Sequence, residues 1–231
     1  MDFPRVVAMP ALVGHHSVLV DLLGHGYSDG PQDFNYSLEE HAQTVAELLE
    51  HLALRDCVLF GHSMGGAVAI TLAALRPELV SQLVIAEGNL DPGGGIISAA
   101  IAAQTEEDFK TRGRQAVVDK ALEAGGITRV ASFRACAPHA FLRSAAGLVM
   151  GTQPTMRERL YNFSIPRAYL FGEKGLPDPE TEVLASHGVR VLTVAKSGHD
   201  MAFDNPAGLA EAIESALSTS AARPAKSFRS R

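Results

Sequence analysis

The stretch Gly61-His62-Ser63-Met64-Gly65-Gly66 decides how this sequence folds, because it fits a sharp turn between a strand and a helix. Residues 57–60 before it form an apolar run typical of a buried parallel strand, and residues 67–75 after it have a helical composition. Such a Gly-x-Ser-x-Gly turn is typical of a nucleophile elbow, whose serine has a strained backbone and an exposed hydroxyl. The turn would direct the Met64 N–H toward any negative oxygen formed beside Ser63. A glycine-rich turn with an incidental serine is the alternative interpretation.

The composition excludes several classes of protein. The 231 residues are 46% apolar and 20% charged, which is typical of one globular domain with a sizeable core. The net charge of −6 argues against a nucleic-acid partner. Cys57 and Cys136 lie far apart outside any Cys-x-x-Cys pair, so we expect neither a metal site nor a disulfide framework. We also expect no cofactor, no membrane span and a cytoplasmic location. The oligomeric state is left open.

Strand-like and helix-like segments alternate along the chain. Strand patterns lie at residues 18–21, 57–60, 83–86, 167–171 and 189–194. A capping box at Ser37-Leu38-Glu39-Glu40 opens one helix, and Asn205-Pro206 opens the last one, which ends near Leu217. This alternation predicts the α/β class, with a mostly parallel sheet that carries helices on both faces.

One long helical block interrupts this alternation. Residues 96–164 are mostly helical in pattern, which predicts a helical cap inserted over the strand ends. The chain then divides into a first part of the core at 1–95, the cap at 96–164 and a second part of the core at 165–217. Residues 218–231 contain four basic residues and no acid, and we predict that they form a disordered tail.

Three motifs together resemble the α/β-hydrolase family. Residues 21–28, Asp-Leu-Leu-Gly-His-Gly-Tyr-Ser, match the Asp-x-x-Gly-His-Gly-x-Ser loop of that family. Gly198-His199 matches its Gly-His element after the last strand. With the elbow at 61–66, the order and spacing are similar to the capped esterase, lactonase and non-haem haloperoxidase-like branch. The resemblance extends from residue 18 to residue 217.

The resemblance implies a cofactor-independent serine hydrolase that cleaves a small ester, thioester or lactone through an acyl-enzyme. Ser63 would attack the carbonyl carbon, His199 would act first as general base and then as general acid, and the Met64 N–H would stabilise the oxyanion. His62 and His25 are expected to support the walls of the site rather than to transfer protons. A catalytically impaired or non-catalytic, ligand-binding member of the same fold is the alternative.

The acid that would orient His199 departs from the family pattern. The family usually has an aspartate after the next-to-last strand, at the position where this chain has Gly175. Glu87, at the end of the strand that follows the elbow, is the candidate we favour, because a strand end would hold it firmly toward the His199 ring. Asp178 and Asp91 are the alternatives.

The N-terminal part of the sequence is also shorter than the family pattern. The family places a strand and a His-Gly loop, which supplies the second oxyanion donor, before the segment that matches residues 21–28. Only 20 residues precede Asp21, and they contain no His-Gly pair. We therefore expect an N-terminally truncated sheet that lacks a central strand between the predicted strand at 18–21 and the Ser63 strand. Those two strands should either leave a gap or pair directly and distort the elbow.

Overall fold

The computed structural model describes residues 3–218. Its four strands are β1 (Cys57–His62), β2 (Val80–Ala86), β3 (Arg167–Gly172) and β4 (Arg190–Val194). Its helices are α1 (Phe3–Val7), α2 (Leu38–His51), α3 (Met64–Leu75), α4 (Ile96–Ala102), α5 (Glu106–Asp108), α6 (Arg114–Glu123), α7 (Ile127–Arg134), α8 (Pro138–Met150), α9 (Met156–Asn162), α10 (Glu180–Ser186), α11 (Met201–Asp204) and α12 (Pro206–Ser218). A π-helical turn joins α5 to α6, and short 3₁₀ turns precede β2 and follow β3.

The strands form one parallel sheet in the order β1-β2-β3-β4. Alternate residues of β2 enter different cores, as the two-residue period of a strand requires. Leu83 and Ile85 pack with α2, α3, α9 and α10, whereas Val84 and Ala86 pack with α1, α11 and α12. Both faces of the sheet are therefore covered by helices, which confirms the predicted α/β class.

The segment at residues 18–21 corrects one expectation from the sequence. It is not a strand, and Val18, Leu19 and Val20 are 40%, 48% and 41% exposed. A short apolar run alone does not make a strand, because a strand also needs a hydrogen-bonded neighbour. Within residues 3–218, no strand pairs with the outer edge of β1, where Val58 is 43% exposed. Of the two arrangements expected from the sequence, direct pairing of this segment with β1 is therefore absent from residues 3–218.

The helices between β2 and β3 carry small cores of their own. Ile101, Phe109, Leu142 and Ala145 form one apolar cluster, and Val118, Ala121 and Val130 form another. The last helix of this block, α9, instead contributes Met156 and Leu160 to the core of the sheet. Helices α4–α8 therefore pack mainly against one another, whereas α9 packs against the sheet.

Two further expectations concern the chain outside this architecture. Across the described residues, no helix is long and apolar enough to cross a membrane. The predicted tail at 218–231 lies outside the described residues, except that Ser218 is the last residue of α12.

Candidate active site

Ser63 occupies the turn between β1 and α3. Its backbone has φ 52° and ψ −121°, a conformation that costs a non-glycine residue about 1–3 kcal/mol. The Ser63 N–H donates to the carbonyl oxygen of Ala86 on β2 at 2.9 Å, which ties the turn to the sheet. A Cβ at Gly61 would lie 2.3 Å from the carbonyl oxygen of Gly65, so the turn requires glycine at 61. A Cβ at Gly65 would meet nothing within 4 Å, whereas a Cβ at Gly66 would lie 3.0 Å from Ile85 Cγ2, so the crowded positions around the turn are 61 and 66.

Met64 is the first residue of α3, directly after Ser63. The first N–H groups of a helix have no acceptor within the helix, and the helix dipole places partial positive charge at this end. The Met64 N–H is therefore a donor suited to an oxyanion beside Ser63.

His199 lies in the loop between β4 and α11, and its ring contacts Glu87. The distance from His199 Nδ1 to Glu87 Oε2 is 3.0 Å, and the two side chains are 44% and 22% exposed. Glu87 follows β2 and has φ 43°. Its other oxygen, Oε1, accepts a hydrogen bond from the N–H of Gly172 at 2.9 Å. The hydrogen bond with His199 lowers the pKa of Glu87, an effect that partial burial opposes and the Gly172 bond supports.

The two alternative acids have other partners. Asp178 Oδ1 accepts from the backbone N–H of Glu180 at 2.8 Å, where it precedes α10. Asp91 accepts from Arg157 at 2.6 and 2.9 Å. Of the three candidate carboxylates, Glu87 is the one that the structure pairs with the His199 ring.

The glycine at the usual acid position lies beside the same carboxylate. A Cβ added at Gly175 would lie 3.9 Å from Glu87 Oε1, in ordinary van der Waals contact. The carboxylate of Glu87 therefore lies next to the position where the family pattern has its aspartate.

His62 is the last residue of β1 and is 8% exposed. Its Nε2 hydrogen bonds to the backbone carbonyl of His199 at 2.7 Å, and the two rings lie 4.6 Å apart between centroids. Burial lowers the pKa of His62 to about 4, and the neighbouring His199 makes a second, smaller contribution to this shift. His25 instead contacts the ring of His41, next to α8 rather than beside His199, and burial lowers its pKa as well.

Sequence reasoning missed an ion pair that joins the block between β2 and β3 to the histidine loop. Arg129 on α7 pairs with Asp200, the residue after His199, and both side chains are about two-thirds buried. The residues lie 71 positions apart in sequence, so no local pattern could have predicted the pair.

A cleft of about 280 Å³ begins at Gly88, the residue after Glu87. Its lining includes Gly88, Asp91, Arg157, Tyr169 and Glu180, and it contains neither Ser63 nor His199. Within the part of the chain that the structure describes, no group of three or more His, Cys, Asp or Glu side chains is placed to hold a metal ion.

Comparison with known proteins identifies the fold family. A family model described as the alpha/beta hydrolase fold matches residues 2–107, the part of the chain that contains the elbow. The chain has the α/β-hydrolase fold. An esterase from Mycobacterium tuberculosis is 28% identical over 234 residues, which cover 90% of this chain and 76% of that protein. The chain spans only 29%, 39% and 29% of the length of three other curated relatives that it matches.

Solved structures share the same fold. An esterase from Exiguobacterium antarcticum superposes with a TM-score of 0.75 at 21% identity, over 95% of this chain and 87% of that one. A bromoperoxidase from Bacillus anthracis superposes with a TM-score of 0.67 at 19% identity, over 86% of this chain and 80% of that one. Both are similar in architecture to this chain, as the motifs in the sequence predicted.

Proposed function

We propose that this α/β-hydrolase cleaves a small ester, thioester or lactone through a Ser63–His199–Glu87 triad and an acyl-enzyme. The observation that carries the proposal is the 3.0 Å contact between Glu87 Oε2 and His199 Nδ1. Because an ionised carboxylate only accepts hydrogen bonds, this contact assigns the proton of a neutral His199 to Nδ1. Nε2 is then unprotonated and free to act as a base toward Ser63, whose strained turn follows β1.

The reaction then proceeds in two halves. The Ser63 hydroxyl attacks the carbonyl carbon and its proton passes to His199 Nε2, which forms a tetrahedral oxyanion and an imidazolium. The Met64 N–H stabilises the oxyanion. As the bond to the leaving group breaks, His199 returns the proton to the departing oxygen or sulfur and leaves an acyl-Ser63. Water, deprotonated by His199, repeats the sequence and releases the acid.

Glu87 would stabilise the imidazolium without accepting its proton. The lowered pKa of Glu87 keeps the carboxylate ionised at neutral pH, and its second oxygen is held by Gly172. A fixed carboxylate at Nδ1 both orients the ring and favours the positive charge that forms on it.

The substrate of this proposal is a small molecule, and the helices between β2 and β3 would form part of its pocket. The Arg129–Asp200 pair brings α7 next to His199, so side chains of this block lie near the reaction. Neither a metal nor a cofactor takes part in the steps above.

The Ser63→Ala variant tests the proposal with p-nitrophenyl acetate as the substrate. We expect hydrolysis to fall by several orders of magnitude, with the melting temperature close to that of the wild type. Ser186→Ala, an exposed serine on α10, serves as the control and should hydrolyse the ester at the wild-type rate. Near-wild-type turnover by Ser63→Ala would refute the assignment.

The second candidate is a non-catalytic or impaired member of the fold that binds a ligand. The observation that favours it is the outer edge of β1, which has no strand beside it within residues 3–218. A fluorophosphonate probe separates the two candidates. Covalent labelling that requires Ser63 supports the hydrolase, whereas no labelling of a folded wild-type chain supports the binding protein.

A further inference from the structure

A single hydrogen bond connects the residue before Ser63 with the backbone of His199. The atoms are Nε2 of His62 and the carbonyl oxygen of His199, 2.7 Å apart. Since a carbonyl oxygen only accepts, the proton of His62 lies on Nε2. The two rings are tilted by 55° at a centroid distance of 4.6 Å, so His62 also forms one wall beside the His199 ring.

The His199 side chain needs such support, because it is 44% exposed and belongs to the short loop between β4 and α11. The bond with Glu87 orients one edge of the ring but does not fix the backbone that carries it. The bond with His62 holds the carbonyl of His199 itself and attaches it to β1, whose last residue directly precedes Ser63.

We propose that His62 is a positioning residue, whose Nε2–H bond to the His199 carbonyl sets the place of the His199 imidazole relative to Ser63. This inference rests on the proposed serine-hydrolase function. A displacement of reacting groups by about 1 Å can lower a rate about 100-fold, so a restraint at this point has a measurable effect on turnover.

The charge state of His62 fits this role and argues against a second base. Its donor nitrogen is already engaged with the carbonyl, and its pKa of about 4 keeps the ring neutral at neutral pH. A positive His62 would oppose the imidazolium that forms on His199, 4.6 Å away, during the reaction. A neutral ring gives the restraint without that repulsion.

Two variants of similar size separate the hydrogen bond from simple packing. His62→Gln keeps an amide N–H at about the reach of Nε2, whereas His62→Met fills the space without a donor. With p-nitrophenyl acetate, we expect His62→Met to lower kcat about 10- to 100-fold with little change in KM. His62→Gln should retain most of kcat, and His51→Gln, an exposed histidine on α2, should match the wild type.

A second readout does not depend on activity. The Nδ1 proton of His199 should give a slowly exchanging downfield NMR signal in the wild type and in His62→Gln. This signal should be absent from the spectrum of His62→Met. If Ser63→Ala refutes the hydrolase, this comparison still decides the positioning role. Should His62→Met fail to fold, His62→Asn, whose shorter amide does not reach the carbonyl, replaces it.

The proposal is overturned if the His62→Gln and His62→Met variants behave alike. Equal kcat values and equal His199 signals for folded His62→Gln and His62→Met would show that the donor has no role, whether both variants match the wild type or both are impaired.

Discussion

Moving the acid from residue 87 to residue 175 tests the candidate triad most directly. Glu87 has two bonds, one with His199 Nδ1 at 3.0 Å and one with the Gly172 N–H at 2.9 Å. Glu87→Ala removes the carboxylate that, in the proposed mechanism, orients the ring and stabilises the imidazolium. Loss of the triad acid in serine proteases lowers kcat about 10⁴-fold. Because the His199 side chain is 44% exposed here, water can partly replace the carboxylate, and we expect a fall of about 10²- to 10⁴-fold.

An aspartate at residue 175 should recover part of that loss. A Cβ there lies 3.9 Å from the Oε1 position of Glu87, and the carboxyl group of an aspartate extends two bonds beyond its Cβ. The backbone of Gly175 lies outside the left-handed region, so an L side chain causes no backbone strain. In the Glu87→Ala chain, the carboxylate of Gly175→Asp would enter the space that Glu87 vacates. We expect the double variant to regain at least tenfold in kcat, about 1.4 kcal/mol in transition-state stabilisation.

The assay is steady-state hydrolysis of p-nitrophenyl acetate, with circular dichroism and melting temperature to confirm folding. Glu87→Ala with Gly175→Asn is the matched control, because asparagine has the same shape without the charge. A folded Gly175→Asp double variant no more active than this control would refute the placement of the acid. Wild-type activity in Glu87→Ala alone would refute the role of Glu87.

Two further predictions concern acid stability and the block between β2 and β3. Burial lowers the pKa of His41 and of His62 from 6.5 to about 4, so the unfolded chain binds more protons between those pH values. The free energy of unfolding should therefore fall as the pH falls from 6.5 to 4, by about 3 kcal/mol for each histidine. In urea unfolding, the free energy of unfolding of His41→Gln should depend less steeply on pH than that of the wild type. An unchanged pH dependence would contradict the prediction. Arg129→Met removes the ion pair with Asp200, which contributes about 1 kcal/mol. Amide hydrogen exchange in α7 should then become about fivefold faster, while exchange in the strands stays the same. Equal exchange rates in α7 of the variant and the wild type would show that the pair does not hold α7.

Features that depend on neighbouring residues could be predicted from the sequence. The strand–turn–helix around Ser63 requires only a short apolar run, a glycine that avoids contact with the next turn, and a helical composition. The cap of α2 is equally local, because the Ser37 hydroxyl accepts from the Glu40 N–H, three residues away. The segment at 18–21 had the right local pattern and still failed, because a strand is defined by a partner elsewhere in the chain.

The identity of the acid that contacts His199 could not be predicted from local sequence patterns alone. The parallel strands β2 and β3 are neighbours, and Ala86 pairs with Leu170, so both strands end at the same edge of the sheet. An acid after either strand can therefore approach a histidine held beyond β4, and the sequence offers carboxylates in both places. The choice depends on contacts between distant residues: Gly172 N–H fixes Glu87, while the backbone of α10 engages Asp178. Because the two strand ends converge, the acid can change strands without displacing His199, which is why transfer from residue 87 to residue 175 is expected to preserve the reaction.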